Sequence, residues 1–332
     1  MRALACPASL KGVLSPGEAA AALAEGVRRV PGWDAEELPV ADGGEGTAEV
    51  IARSLGGEWR TARVSDPFGR PVTARFLLLP DGTAVVDSAE AVGLWLLDAG
   101  ERDPLRASSA GLGELLLAVL DTSPASVLVG VGGTATVDGG AGLRTVLRLW
   151  PDRVPLRVAC DVRNPLLGPR GAASAFGPQK GAGPGAVAAL EERLAAMGEL
   201  VRVRDLPGAG AGGGLGAALA ALGGELVEGA KLVLDLIGFD ERASGAAFAV
   251  TGEGTVDATT LEGKAPGTVA RRCRELGVRC AVFGGLVEPG HPDVIALSGD
   301  PARAADDLVA LGEELALSSA SSSSAGTSRQ QR

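Results

Sequence analysis

The chain has 332 residues and 46% hydrophobic content, enough for roughly two domains of about 150 residues with a sizeable core. A formal net charge of −10 excludes a protein that lives on nucleic-acid phosphates, because such binding takes clustered positive charge. No apolar run approaches the roughly 18 residues of a membrane span, and Met1 to Gly12 lacks a secretory apolar core, so a cytoplasmic protein with small-molecule partners is expected.

Arg2 to Cys6 reads as a short buried strand, followed by the loop PASLKG, Pro7 to Gly12. Ser15 as N-cap, Pro16 at the first position and Glu18 three residues after the cap predict a helix closed by a capping box. Ala19, Ala22, Leu23, Gly26, Val27 and Val30 form its apolar face. A strand at about Glu36 to Val40 leads into ADGGEGT, Ala41 to Thr47, and a helix to Gly56. This βαβα outline predicts a parallel sheet whose loops gather at the carboxyl ends of its strands.

From Glu58 the pattern changes. Trp59 to Val64 and Pro71 to Leu79 flank the turn DPFG, Asp66 to Gly69, as a hairpin. A strand near Ala84 to Ser88 extends the hairpin, and a helix capped by Ser108 or Ser109 runs to about Leu120. Ser126 to Gly140, SVLVGVGGTATVDGG, is an apolar β-branched strand that breaks into a glycine-rich loop, read as a phosphate cradle. A helix at Ala141 to Leu149, a strand at Leu156 to Cys160, the loops Asp161 to Ala172 and Phe176 to Ala182, and a helix from Pro184 to about Val201 follow. A second glycine loop, Leu206 to Leu219, feeds another helix.

Alternation then returns, with strands at Leu232 to Ile237 and Phe248 to Thr251 and the loop Gly252 to Gly267. A helix to Leu276, strands at Val278 to Phe283 and Val294 to Leu297, and a helix to about Leu317 complete the body. The expected fold is α/β with two domains. Residues 1–60 and 225–317 form a discontinuous parallel-sheet domain, and 61–224 a mixed-sheet α/β domain inserted in it; the Ser-rich 318–332 is expected to be a disordered tail.

His291 is the only histidine, which argues against Ser-His-Asp catalysis and excludes multi-His metal sites; hard oxygen ligands remain, and they suit Mg²⁺. Cys6, Cys160, Cys273 and Cys280 form no CxxC pair. Lysine is scarce, and three of the four (Lys11, Lys180 and Lys264, but not Lys231) adjoin a glycine, as a compact charge kept for close approach to a phosphate would. Gly130, Gly132 and Ala135 fit GxGxxA, and Gly208, Gly210 and Gly213 fit GxGxxG, but no acidic residue closes a second strand about 20 positions on, so a nicotinamide enzyme is a weak reading. The P-loop pattern fails because Ala265 follows Gly263-Lys264.

Carboxylates recur among glycines at Asp42, Glu45, Asp138, Glu253 and Asp257, and Asp161 ends a strand. Each alone is readily a helix cap or turn former. Together with the lysines they are the parts for phosphoryl transfer: carboxylates for Mg²⁺ and a hydroxyl proton, lysines for phosphate. The catalytic candidates are Asp42, Asp138, Lys11 and Asp257, with Asp42 and Asp138 as metal ligands; which carboxylate is the base stays open. Ser9, Gly43, Gly44, Gly132, Gly133, Thr134, Thr136, Lys180, Gly212, Gly213, Glu253 and Lys264 are the substrate- and phosphate-binding candidates.

In order, PASLKG, ADGGEGT, GVGGTATVDGG, ACDVRNPLLG, FGPQKGA, LPGAGAGGGLGA and TGEGTVDATTLEGKAPG resemble the blocks of bacterial glycerate kinases of the glycerate 2-kinase class, from about Ala3 to about Gly285. The resemblance implies phosphorylation of D-glycerate by ATP to give 2-phosphoglycerate and ADP, on a flavodoxin-like domain carrying a second α/β domain as an insertion. Ala8 stands where the family usually has an acidic residue, Val137 where it usually has Asn, and the segment between Leu149 and Leu156 is short. The first two departures motivate a rival reading, a non-catalytic paralogue that senses glycerate or a phosphorylated acid.

Overall fold

The computed structural model describes residues 1–257, 260 and 263–327. Chain order begins β1 (Arg2–Ala5), α1 (Pro16–Arg28), β2 (Asp34–Glu37), α2 (Thr47–Leu55), β3 (Glu58–Ser65), β4 (Pro71–Leu78) and β5 (Thr83–Asp87). Next come α3 (Ala89–Val92), α4 (Ala110–Asp121), β6 (Ser126–Gly130), α5 (Ala141–Val146), β7 (Leu156–Ala159), α6 (Ala172–Phe176), α7 (Pro184–Ala195) and α8 (Ala211–Ala221). The remainder is β8 (Glu225–Val227), α9 (Gly229–Leu236), α10 (Phe239–Ala243), β9 (Phe248–Val256), α11 (Ala265–Glu275), β10 (Cys280–Val287), β11 (Val294–Ala296) and α12 (Ala304–Thr327).

These elements form two compact units, a terminal one of Met1–Ala41 with Val233–Arg332 and a central one of Asp42–Leu232. The terminal unit has an all-parallel sheet in the order β11-β10-β9-β1-β2. Numbered within the unit this is 2-1-3-4-5, the flavodoxin-like doubly wound order, whose ligand crevice lies outside the carboxyl ends of the strands at the first-to-third strand switch. The capping box forms as read: Glu18 N donates to Ser15 Oγ at 3.2 Å, and Ser15 N to Glu18 Oε2 at 2.8 Å. Helices α1 and α12 meet through glycines. A Cβ on Gly26 would lie 1.9 Å from the Val309 carbonyl oxygen, and one on Gly312 would lie 2.3 Å from that of Leu23.

The central unit has a mixed sheet in the order β3-β4-β5-β6-β7-β8. Its β3, β4 and β5 pair antiparallel, whereas β5, β6, β7 and β8 run parallel. Thus β5 closes the hairpin patch on one side and starts the parallel set on the other. Val127 and Val129 of β6 pack with Leu112, Leu115 and Leu116 of α4 on one face.

Four differences from the sequence reading have local causes. Residues Leu232 to Ile237 are helical, not a strand; a short apolar run does not discriminate the two, and the fully buried Ala230, Val233, Leu234 and Ile237 fall at i, i+3, i+4 and i+7. Strand β9 continues through Gly252-Glu253-Gly254, read as loop, because these residues stay in register with β10. The compact central unit starts at Asp42 rather than near residue 60, since Asp87 of β5 binds the amide N–H groups of Gly46 and Ala48 at the start of α2. Helix α12 carries the backbone to Thr327, into the Ser-rich segment read as disordered; the rest of that segment, 328–332, lies outside the described residues.

Candidate active site

In the central unit, the parallel strands β5 to β8 end at one edge, and the loop Asp42 to Thr47 is bound across it. Gly43 accepts a hydrogen bond from Gly132 N at 3.3 Å. A Cβ on Gly43 would fall 2.5 Å from the Ala159 carbonyl oxygen at the end of β7, and one on Gly132 would fall 2.6 Å from Gly44 Cα. Only glycine permits these approaches. Asp87 fastens the loop's far side, accepting from Gly46 N at 3.0 Å and Ala48 N at 3.2 Å. Burial pushes the Asp87 carboxyl up to about 7 against those amide bonds, with Glu90 and Glu49 adding to the rise.

The loop presents Asp42, whose Oδ1 accepts from Gly44 N at 3.1 Å. Its electrostatic neighbour is Asp161, just beyond β7, which accepts from Ala230 N at 3.1 Å at the start of α9. Burial first, and the Asp42 charge second, raise the Asp161 carboxyl to about 8. The Asp161 carboxyl so raised keeps its proton near neutrality. Asp161 can therefore give a proton at physiological pH. Glu45 and the exposed Gly133 border the same edge, a Cβ on Gly133 falling 3.4 Å from Glu45 Oε2.

The glycine-rich loop after β6 is mostly framework. Asp138 Oδ2 accepts from Ser109 N, Ser109 Oγ and Gly142 N at 2.9, 2.8 and 3.0 Å, and Oδ1 accepts from Gly140 N at 3.0 Å. Oδ2 thus takes three donors and Oδ1 one, most of the roughly four acceptor positions of a carboxylate. Asp138 therefore fastens the starts of α4 and α5, a structural role beside the metal and base roles expected of it. Lys180 is 4% exposed and donates to Thr134 Oγ1 at 3.1 Å and to the Thr136 carbonyl at 2.8 Å. Burial lowers its ammonium to about 7, opposed by the Asp138 charge. Its bonds go to the protein, so Lys180 braces the loop from beneath.

The second glycine loop packs on the first. Gly212, Gly213 and Gly214 have φ of +62°, +75° and +96°, and a Cβ on Gly213 would lie 1.9 Å from the Thr136 carbonyl oxygen. Gly139 N donates to Gly213 O at 3.1 Å. Gly212 and Gly213 thus serve backbone-to-backbone packing rather than an open anion cradle, and Thr136 is fully buried beneath it. Val137 is 1% exposed and packs among Leu166, Ala173 and Leu194. That departure from the family pattern is a core residue.

In the terminal unit, a cavity of about 300 Å³ lies at the carboxyl ends of β1, β9, β10 and β11. Ser9, Lys11, Glu253, Asp257 and Lys264 line it with the apolar Leu10, Val13, Leu286 and Leu297. Lys264 Nζ is 3.4 Å from Asp257 Oδ2 and 3.8 Å from Glu253 Oε1. Thr260 joins the two carboxylates, its Oγ1 donating to Glu253 Oε1 at 2.7 Å and its amide to Asp257 Oδ1 at 3.0 Å. Lys264 is also the residue that caps α11.

The expected residues therefore divide. Asp42, Gly43, Gly44, Gly132 and Gly133 meet at one sheet edge; Ser9, Lys11, Glu253, Asp257 and Lys264 meet in the cavity of the other unit; Thr134, Thr136, Asp138, Lys180, Gly212 and Gly213 are support. Asp87 was missing from the candidates, and Asp161, read as a strand-end carboxylate, was given no role of its own. Each is a carboxylate that directly follows or ends an apolar strand, AVVD and RVACD, a signal available in the sequence. Among the described residues no group of three or more His, Cys, Asp or Glu side chains is arranged to hold a metal ion, and no helix is long and apolar enough to cross a membrane.

The glycerate kinase family model matches residues 3–150 and 146–304. A glycerate 2-kinase from Escherichia coli strain K12 is 38% identical over 310 residues, 81% of each chain. A glycerate kinase from Halalkalibacterium halodurans is 37% identical over 327 residues, 87% of this chain and 86% of that one. The crystal structure of a Salmonella typhimurium LT2 protein assigned as glycerate kinase 2 superposes with a TM-score of 0.81 at 31% identity, covering 98% of this chain and 99% of that chain. With matches of this extent, the chain belongs to the glycerate kinase family.

Proposed function

We propose that the chain is an ATP-dependent glycerate 2-kinase, transferring the γ-phosphoryl group of ATP to the 2-hydroxyl of D-glycerate to give 2-phosphoglycerate and ADP. The observation that carries this reading is the position of the family-like blocks. PASLKG follows β1, GVGGTATVDGG follows β6, ACDVRNPLLG follows β7 and TGEGTVDATTLEGKAPG runs out of β9. Each puts polar groups at the carboxyl end of a parallel strand, the edge where open α/β sheets take their ligands.

Phosphoryl transfer asks the protein for positioning and charge. The acceptor oxygen forms its bond to phosphorus as the bridging oxygen of the β-phosphate leaves, and the hydroxyl proton needs an acceptor. The Asp42 carboxylate, presented by its loop beside the Asp161 carboxyl, is the proposed acceptor. Lys11 and Lys264 neutralise phosphate as point charges. The oxygen-only donor set fits Mg²⁺, which uses one or two carboxylates together with substrate phosphates; Asp42 is the proposed ligand, since Asp138 is engaged by four donors at the starts of α4 and α5. When bound, Mg²⁺ neutralises charge on the phosphate oxygens. A cytoplasmic location is part of the same proposal.

A coupled assay tests the reading. ADP release should require both D-glycerate and Mg²⁺, and release no faster than without glycerate would overturn it. The rival sensor reading loses one of its two supports, because Val137 faces the core.

A further inference from the structure

We propose that the cavity of about 300 Å³ in the terminal unit is the adenine-nucleotide site, with the base against Leu10, Leu286 and Leu297 and the phosphates at Lys11, Lys264 and the start of α11. The assignment rests on the kinase reading and decides which of the two substrates this cavity takes.

Its walls are the first argument. Glycerate carries a carboxylate and two hydroxyls on three carbons, so it has no apolar face to bury, and an apolar wall would only strip its polar groups of water. Adenine is a flat ring with both faces apolar and a polar edge, the combination that mostly apolar pockets with a few placed polar groups receive. Leu10, Val13, Leu286, Leu297, Pro301 and Ala304 form such walls. Gly285 keeps the adjoining surface flat: a Cβ there would fall 2.7 Å from the Gly254 carbonyl oxygen, so β10 cannot carry a side chain into this layer at that position. A volume of about 300 Å³ is at the lower end for a drug-sized ligand and far larger than a three-carbon acid requires.

Charge supplies the second argument. Lys11 and Lys264 are the cations of the lining; Glu253 and Asp257 sit beside Lys264, and Asp300 and Asp307 line the cavity beside Leu297 and Ala304. An anionic phosphate chain goes to the lysines, taking Lys264 from Glu253 and Asp257, and away from Asp300 and Asp307. Helix α11 has 11 residues and starts at Ala265 with Pro266 and Gly267 in its first turn. Its amino end offers amide groups and a positive dipole end beside Lys264. The switch-point position of the cavity in a 2-1-3-4-5 sheet is the third argument, being where doubly wound sheets bind ligands.

The test is ADP binding by calorimetry to the full chain without glycerate, together with the KM for ATP and for D-glycerate. Two variants are compared, Leu286→Asp and Lys264→Met. Leu286 is 59% exposed, so its replacement leaves the fold intact, and an unchanged Tm verifies this. The expected result is that each variant raises the ADP dissociation constant and the KM for ATP by about tenfold or more, while the KM for D-glycerate stays within about twofold. Unchanged ADP affinity in both variants, a raised KM for D-glycerate in place of ATP, or no ADP binding by the wild type overturns the assignment. Its failure and that of the kinase reading are separable. A chain that binds ADP in this cavity without phosphorylating glycerate keeps the site and loses the kinase; one that phosphorylates glycerate with both variants unimpaired toward nucleotide does the opposite.

Discussion

Aspartates that look alike in sequence do opposite work in this chain. Asp138 takes four donors at the starts of two helices, so Asp138→Ala leaves buried N–H groups without an acceptor and should cost about 3 kcal/mol or more in a urea titration. Asp42 accepts from Gly44 N and is half-buried. Asp42→Asn should therefore leave the Tm within a few degrees while kcat falls about a hundredfold or more. The reverse pattern, an unstable Asp42 variant and a stable inactive Asp138 variant, would exchange the two roles. Buried ionisable groups add a pH dependence. Asp87 and Asp161 have folded pKa values of about 7 and about 8, above the 3.8 of an exposed carboxyl, so the folded state holds more protons than the unfolded one and stability falls as pH rises through that window. Lys180, lowered to about 7 from 10.5, acts in the other direction: between those values the unfolded state holds the extra proton and stability rises with pH. Urea midpoints for wild type and Asp87→Asn between pH 4 and pH 7, the window set by Asp87, should show a flatter slope in the variant; parallel slopes would remove Asp87 as the source.

At the scale of elements, glycines decide how closely parts approach. Helix propensity alone makes Gly26→Ala stabilising by about 1 kcal/mol. The structure reverses the sign, because the new Cβ would meet the Val309 carbonyl oxygen at 1.9 Å and force α1 from α12, at about 1–3 kcal/mol. Gly213→Ala combines a left-handed φ of +75° with a Cβ 1.9 Å from the Thr136 carbonyl oxygen, and should cost about 2–4 kcal/mol by chemical denaturation. Such glycines also mark the limit of the sequence reading. The cap of α1 and the hairpin β3-β4 were legible because their signals lie within a few residues. That Gly212 to Gly214 face another backbone rather than a phosphate depends on a partner some 75 positions away in the chain, Thr136, and no local pattern carries it. The apolar run at Leu232 was misread for a related reason: its helical spacing emerges only with Ala230 and Ile237, outside the run's most hydrophobic part.

At the scale of the whole molecule, the chain builds two α/β units, one all-parallel and one with an antiparallel edge, and each collects charged and glycine-rich loops at the carboxyl ends of its parallel strands. This much was legible in βα alternation and in the order of the seven blocks. The distribution of the candidates between the units was not, because Asp42 follows β2 in the chain but folds with β5 to β8. The pairing of Asp161 with Asp42 escaped because the two lie far apart in sequence. The central claim is a phosphoryl group moved from ATP to the 2-hydroxyl of D-glycerate, and phosphorus NMR of the complete reaction reads it directly. The account predicts a new monoester resonance coincident with added 2-phosphoglycerate, growing as ATP converts to ADP. A resonance coincident with 3-phosphoglycerate, or no monoester beside consumed ATP, would contradict it.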